Sequence, residues 1–512
     1  MDGTLARIRL VNYFTAPIEA MAAAARTCYS SKGAVEIEEI KSSDKKYENA
    51  LKILKTIFQA GHHTVIQHIH FQFLIENVSR QFVWSFLHSH PFYNSEQVSQ
   101  RYVEVKRENV FIPPVDEALL TIYLECVNFQ IDAYRKLIDM LTDLVADEYY
   151  KRFPRRKNNS KYNRDIKRKA QEIARYVLPL GTLTYLYHTI SAITLIRYYR
   201  MMSQLDTGYE QKAVVEEMVR QVISLDRNME IFFKESYRLE ETVEYPFMNF
   251  NIDKKEFKEE FDKDMDNLSS KLVCWNENAE QIIYDAVREV LGLSRRAISL
   301  EEAIDLIMNP VKNRYLASAV EVLTLSKLSR VLYNSHYVFK KRMSHCADSQ
   351  DQRHRMTPAS RPALTLIDYS EPDYIIPSLI QHDEKALKFY KEVMDRIWNY
   401  YNMFLKRGGS REFALYILPN SLVIRYTESA DALNLLHKLK SRLCYNAQEE
   451  IWRASLEEAV QIQKVHPNLG RYLLAPCFYR MKAGITPFCP EGERYCGMPV
   501  WKYSLGEYKR LV

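Results

Sequence analysis

One arrangement of residues occurs twice in this chain, and any fold proposed for it must accommodate both occurrences. Near the start, Ile8-Arg-Leu-Val-Asn-Tyr13 leads into the alanine-rich run Pro17 to Thr27. Near the middle, Lys271-Leu-Val-Cys-Trp275 leads into the run Ala279 to Leu291. Each reads as a short strand followed by a helix. Further on, Ala174-Arg-Tyr-Val-Leu-Pro179 is echoed by Ala414-Leu-Tyr-Ile-Leu-Pro419. Both echoes are expected to run into a helical stretch and reach a matching acid, Glu210 and Glu450. The later pairs lie 240 residues apart, whereas Leu10 and Leu272 lie 262 apart, so spacers have changed length while motif order has not.

A chain of 512 residues exceeds what one hydrophobic core organises, and the repeat supplies the division. A first copy is expected over residues 1–248, a connector over 249–270 and a second copy over 271–512. The connector is dense in both charge signs from Phe250 to Asp266 and reads as a solvated helix or linker. With 47% apolar residues and 13 glycines, both copies have material for an ordered core of their own. A formal charge of +6 does not mark a dedicated nucleic-acid binder, and the 35 tyrosines are scattered rather than interleaved with basic residues. The basic stretch Lys151 to Arg164 reads as an exposed loop.

Tyr176 to Ile196 carries no formal charge and is long enough to cross a bilayer. Pro179, Gly181, His188, Ser191 and four threonines argue instead for a buried helix and its approach, so no membrane span is expected. There is no export signal pattern, and eight cysteines without a CxxC suit free thiols in a reducing cytoplasm. Cys477, Cys489 and Cys496 could join His466 around zinc, but these spacings match no standard site, and no metal is expected. His68 and His70 fit strand packing better than ligation.

The densest polar constellation of the second copy is Gln350-Asp-Gln-Arg353-His354-Arg355. Two arginines flanking a histidine suit a phosphate, because guanidinium groups donate forked, charge-assisted hydrogen bonds. A solvated face is the competing reading. In the first copy the matching region is His88-Ser-His90-Pro-Phe-Tyr-Asn94-Ser-Glu96-Gln97-Val-Ser99-Gln-Arg101-Tyr102. Ser99 and Arg101 just after a polar turn are what a loop wrapping an anion would use.

These residues resemble the flavin-dependent thymidylate synthases, whose signature RHRxxSxNExSxRY follows a segment GHxTPxEHxxFxF and precedes ARxVLP and RxxxxAQxEI. The first copy is similar at Gly61-His62, Thr64, His68, Phe71, Phe73, His90, Ser99, Arg101, Tyr102, Ala174, Arg175 and Val177 to Pro179. The second is similar at Arg353-His354-Arg355, at Leu418-Pro419 and from Arg442 through Ala447, Gln448 and Glu450 to Ile451. Ordered motifs along nearly the whole chain are far more specific than any one of them. The resemblance implies an α+β fold in which two tandem domains each pack a small sheet with long helices.

The losses are complementary. Copy one has Ser89 and Pro91 at the leading arginines and a position near Met202 at the late one. Copy two has Ala363 and Thr365 at the loop half and Leu415 at the ARxVLP arginine. The family builds its sites between subunits, so one composite site is expected, joining Gln350, Arg353, His354, Arg355 and Arg442 of copy two to Ser99, Arg101 and Arg175 of copy one. Its mirror counterpart is expected to be dead, and Arg101 should stand near Arg353 or Arg442.

The resemblance implies reductive methylation of dUMP to dTMP, with methylenetetrahydrofolate as carbon donor, FAD as cofactor and NADPH as reductant. It implies Arg442 as the catalytic cation, and Gln350, Arg353, Gln97, Ser99, Arg101 and Arg175 on the nucleotide. It implies Arg353, His354, Arg355, Thr64, His90 and Glu96 on the flavin. The family's NxR flavin contact becomes Ser191-Ala-Ile193 and Ser429-Ala-Asp431, which removes a cation in each copy. A catalytically altered pyrimidine-nucleotide-binding relative with an accessory role is the alternative, and a nucleic-acid-binding scaffold is a third. A homodimer acting as a pseudo-tetramer is the expected assembly.

Overall fold

A computed structural model describes residues 4–88, 92–157, 159–249 and 254–511. In the first copy, strand β1 (Arg7–Tyr13) is followed by helix α1 (Pro17–Thr27), whose Pro17 sits in the first turn, where a missing N–H costs nothing. Next come β2 (His70–Ser79), α2 (Arg80–His88), β3 (Tyr93–Gln97), the long α3 (Glu117–Arg152) and α4 (Asn163–Ala174). The copy closes with β4 (Leu183–Ser191), α5 (Ala192–Arg200) and α6 (Gly208–Leu225). A connecting helix, α7 (Lys254–Asp264), leads to β5 (Ser270–Trp275), α8 (Ala279–Leu291), β6 (His336–Ser344) and α9 (His345–Asp351). The second copy continues with β7 (Ala359–Ser360), α10 (Glu384–Lys406), β8 (Val423–Asp431), α11 (Ala432–Arg442) and α12 (Glu449–Val465).

Both sheets are antiparallel and share one connectivity, β1-β2-β4-β3 and β5-β6-β8-β7. Even an irregularity in the first ladder, at Leu10/Asn12, recurs at Leu272/Cys274. The fold is therefore α+β and the repeat is structural. The helix expected within residues 176–196 is corrected: a turn leads into strand β4, and β8 does the same in the second copy. Thr184, Leu186, His188 and Ile190 face inward while Tyr185 and Tyr187 face out, a period of two that the absence of charge had masked.

The copies share backbone. Leu180 N donates to Leu418 O at 2.8 Å and Gly181 N to Tyr416 O at 3.0 Å, while Asn420 N donates to Leu178 O at 2.8 Å and Ser421 N to Tyr176 O at 3.0 Å. Gly181 has no room for a side chain, since a Cβ there would lie 2.5 Å from Tyr123 Oη and 3.1 Å from the Tyr416 carbonyl. Beside one core in each copy, a third joins α3 to α10 and buries Tyr123, Tyr134, Tyr390, Trp398 and Tyr416 from both halves. Burying each such side chain stabilises the union by roughly 1.5–3 kcal/mol. The connector is docked rather than wholly solvated: Phe261 and Met265 are buried, and Asp262 binds Arg425 and Arg342. No helix among the described residues is long and apolar enough to cross a membrane.

Candidate functional site

Helix α9 is fixed at its start by Ser344, whose side chain accepts from Ala347 N and whose N–H and hydroxyl both donate to Glu450 at 2.6 Å. The turn after α9 then throws Arg353 and Arg355 toward β3 of the other copy. Arg353 Nη2 meets Glu96 at 2.6 Å and Arg355 Nη2 donates to Asn94 at 3.2 Å. Arg442, the last residue of α11, donates from Nε to His354 Nε2 at 2.8 Å and from Nη2 to the Gln350 carbonyl at 2.5 Å. A ring nitrogen accepting from a guanidinium is unprotonated, and burial, with Arg442 beside it, holds the His354 pKa well below the ordinary imidazole value. Gln350 Nε2 donates to Gln448 Oε1 at 2.8 Å, and Gln448 in turn bonds the Tyr176 hydroxyl of copy one.

From copy one, Ser99 Oγ accepts from Arg101 N at 3.3 Å and closes the loop. The Arg101 guanidinium bonds Glu172 through Nε and the Asn446 carbonyl of copy two through Nη2, the latter at 2.9 Å. Gln97 accepts from Arg80 Nη1 at 2.9 Å. Arg175 is 5% exposed, yet its Nε and Nη2 have no partner among the described residues.

Cations dominate this place. Burial lowers the Arg80 pKa to about 9, with Arg175 adding to the effect. Burial lowers Arg442 to about 10, and Arg353 and Arg101 push in the same direction against Asp351. Burial lowers Lys169 to about 8 despite Glu172 beside it. Buried cations that remain charged this close together favour an anion among them.

The structure thus brings together Gln350, Arg353, His354, Arg355 and Arg442 with Glu96, Gln97, Ser99, Arg101 and Arg175. Thr64 is not among them; it is exposed at the start of a short turn, Thr64–His68, packed against α1 and α5. His90 lies outside the described residues. Sequence reasoning missed Arg80, Lys169, Asn446 and Tyr176. Gln448 stood in a quoted motif, whereas nothing in the sequence distinguishes Arg80 from any charged residue opening a helix.

At the mirror location, the described residues bond one another. Thr365, standing where the loop arginine belongs, bonds Asp206 from its N–H at 3.1 Å and the Leu205 carbonyl from its hydroxyl at 3.0 Å. Arg361 is spent on Asp348, Nη2 to Oδ1 at 2.7 Å, and Trp84 donates to the same carboxylate at 2.8 Å. Beneath His354 and Arg442, Lys341, Lys438, Asp351, Glu428 and Glu458 form a buried ionic network, where copy one packs Phe86, His188 and Tyr198 against one another.

The residues fit a nucleotide. Arg175 offers two unpartnered buried N–H positions to a phosphate, and the carboxylates of Glu172 and Glu96 now lie on guanidinium groups that a phosphate would take over. Exposed Arg353 and the neutral His354 ring beside it also fit the polar edge and charge of a flavin nucleotide.

The family described as thymidylate synthase complementing protein matches residues 9–225 and again 271–468. The flavin-dependent thymidylate synthase of Clostridium tetani is 29% identical over 226 residues, which are 44% of this chain and 84% of that protein. The flavin-dependent thymidylate synthase of Saccharolobus solfataricus is 30% identical over 217 residues, 41% of this chain and 78% of that protein. A solved structure of the UMP/dUMP methylase PolB from Streptomyces cacaoi, bound with 5-Br dUMP, is 17% identical and covers 45% of this chain and 95% of that one; its TM-score of 0.32 is too low to carry an argument. The chain belongs to the thymidylate synthase complementing protein family and carries that family's domain twice.

Proposed function

We propose that this protein methylates dUMP reductively to dTMP at a composite site built by both copies, with methylenetetrahydrofolate, FAD and NADPH. The observation that carries the reading is the approach of Arg101 from one copy to Asn446 and Arg442 of the other, with Glu172 shared between Arg101 and Arg175, whose buried Nε and Nη2 lack a partner among the described residues. Arg175, Arg101, Arg353, Ser99 and Gln97 hold the phosphate and sugar, and Gln350 orients the base. Arg442 faces the N3 and O2 side of uracil, where a cation in a buried site stabilises the ionised, more reactive base. No cysteine nucleophile is invoked: Cys346, the thiol beside Arg175, is pushed up to about 11 by burial. When bound by Arg353, His354, Arg355 and Glu96, with His90 and Thr64, FAD would supply the electrons that reduce the transferred carbon. Thr64 would then come from a second chain, in a homodimer acting as a pseudo-tetramer. Eight unpaired thiols support a cytoplasmic setting.

One observation favours a second reading, an accessory protein that binds a pyrimidine nucleotide without this chemistry. The arginine of the NxR contact is replaced by buried Ile193 in one copy and by Asp431, which caps α11 through Asn434 N at 2.9 Å, in the other. Tritium release from 5-tritiated dUMP with FAD, NADPH and methylenetetrahydrofolate, run beside Arg442→Ala, separates the two. Release by the wild type and not by the variant supports the enzyme. A folded, inactive wild type whose melting temperature rises with dUMP supports the second reading.

A further inference from the structure

Four of the eight cysteines meet at one small cavity. Cys444, two residues beyond Arg442, Cys477 in the helix Pro476–Lys482, and Cys489 and Cys496 in the loop that follows all line a void of about 20 Å³ with Pro476, Pro490 and Trp501 around them. That is space for one water-sized sphere. The remaining four thiols lie elsewhere, Cys28 and Cys274 exposed, Cys126 and Cys346 buried. His466 is not part of the group, since its ring bonds Tyr337 Oη at 3.0 Å and the Glu277 carbonyl at 3.3 Å.

Three separate segments of the chain bring these sulfurs to one place. Cys496 Sγ donates to the Met498 carbonyl, two residues on, at 3.7 Å. Gly492 and Gly497, with φ of 57° and 84°, let the loop turn back on itself after Cys489 and at Cys496. Mutual repulsion among thiolates is what a divalent cation at their centre cancels.

We propose that Cys444, Cys477, Cys489 and Cys496 bind one zinc ion as a closed tetrathiolate site, which staples the C-terminal segment to the turn that carries Arg442 and Asn446. Soft sulfur ligands with four-fold coordination select zinc among common divalent ions, and a closed shell makes the role structural. Among the described residues no three His, Cys, Asp or Glu side chains already stand as a ligand set. Binding therefore rotates the thiols inward onto the ion, to Zn–S distances of about 2.3 Å, and releases their protons to solvent. The segment has need of such a staple. Beyond Lys482 it holds short 3-10 turns and no longer helix or strand among the described residues, yet Arg510 reaches back to the Ala447 carbonyl at 2.9 Å. The proposal does not depend on which nucleotide reaction the protein performs.

The test is metal analysis of the full chain, made without a polyhistidine tag in zinc-supplemented medium and gel-filtered. The expected result is about one zinc per chain, with Cys28 and Cys274 the reactive thiols of the native chain and zinc released as a mercurial titrates the four thiols of the site. Cys489→Ser and Cys496→Ser should each lower zinc content at least about tenfold, while Cys274→Ser keeps it. If those variants are insoluble, cobalt exchange into the wild-type chain decides, because four thiolates give intense sulfur-to-cobalt charge-transfer absorption. A folded chain that takes up neither zinc nor cobalt, a disulfide between any two of the four cysteines, or zinc retained by both serine variants would overturn the site.

Discussion

Tyr176 of the first copy hydrogen-bonds Glu450 of the second, and the same bond runs in the opposite direction from Tyr416 to Glu210, Oη to Oε2 at 2.6 Å. Each carboxylate also accepts from the serine that ends the neighbouring strand, Ser344 or Ser79. The pairs are equal as structure and unequal as neighbours. Tyr176 alone also takes Gln448, which leads through Gln350 to Arg442.

That inequality sets the first expectation. Tyr176→Phe and Tyr416→Phe should each destabilise the protein by about 1–3 kcal/mol in denaturant unfolding, because each leaves a buried carboxylate short of a donor. Only Tyr176→Phe should also weaken dUMP binding, by about threefold or more in calorimetry. Equal losses of affinity in both variants would mean that the Gln448 relay carries no influence.

Buried carboxylates set a pH dependence. Burial raises the Glu210 pKa from 4.5 to about 7, against the hydrogen bonds of Ser79 and Tyr416, which lower it. A carboxyl whose folded pKa is raised contributes stability that is whole below about pH 4.5 and is lost as pH rises through about 7. Glu210→Gln should therefore gain on the wild type across that window, by about 1–3 kcal/mol at its alkaline end. Melting temperatures of both proteins from pH 4.5 to 8 check it, and parallel curves would refute it.

Arg175 separates stability from binding. Its buried Nε and Nη2, without a hydrogen-bond partner among the described residues, cost folding energy, so Arg175→Leu should melt at the wild-type temperature or a few degrees above it. The same variant should lose the rise in melting temperature that millimolar dUMP gives the wild type. A preserved nucleotide-induced shift would remove Arg175 from the site.

Arg442→Ala should leave circular dichroism unchanged and lower dTMP formation at saturating dUMP by about 10²-fold or more, as loss of a charge-stabilising donor does. An effect confined to KM would make Arg442 a binding residue only.

The strand-helix repeats and the arginine-bearing motifs were legible because periodicity and residue type reach the sequence directly. Strand β4 was not, since an uncharged run reads alike as helix or strand until its alternation of Thr184, Leu186, His188 and Ile190 is weighed against a sheet. Arg80 was invisible for a different reason: its place is set by Gln97 and the Val98 carbonyl, which it bonds across a loop, and by Arg175 beside it, tertiary facts that no local pattern encodes. An approach of Arg101 to Arg353 or Arg442 was anticipated only through complementary losses, and its bond to the Asn446 carbonyl came from the folded chain.

The backbone ladder between residues 176–181 and 416–421 has a genetic consequence. Where identical subunits make such a contact, one substitution strikes every centre at once, and a harmful one is purged. Here each side of the junction is encoded separately, so a change on the side of Thr365 and Arg361 leaves Arg101 and Arg442 untouched. The junction is directional, and its left and right edges answer to different selection.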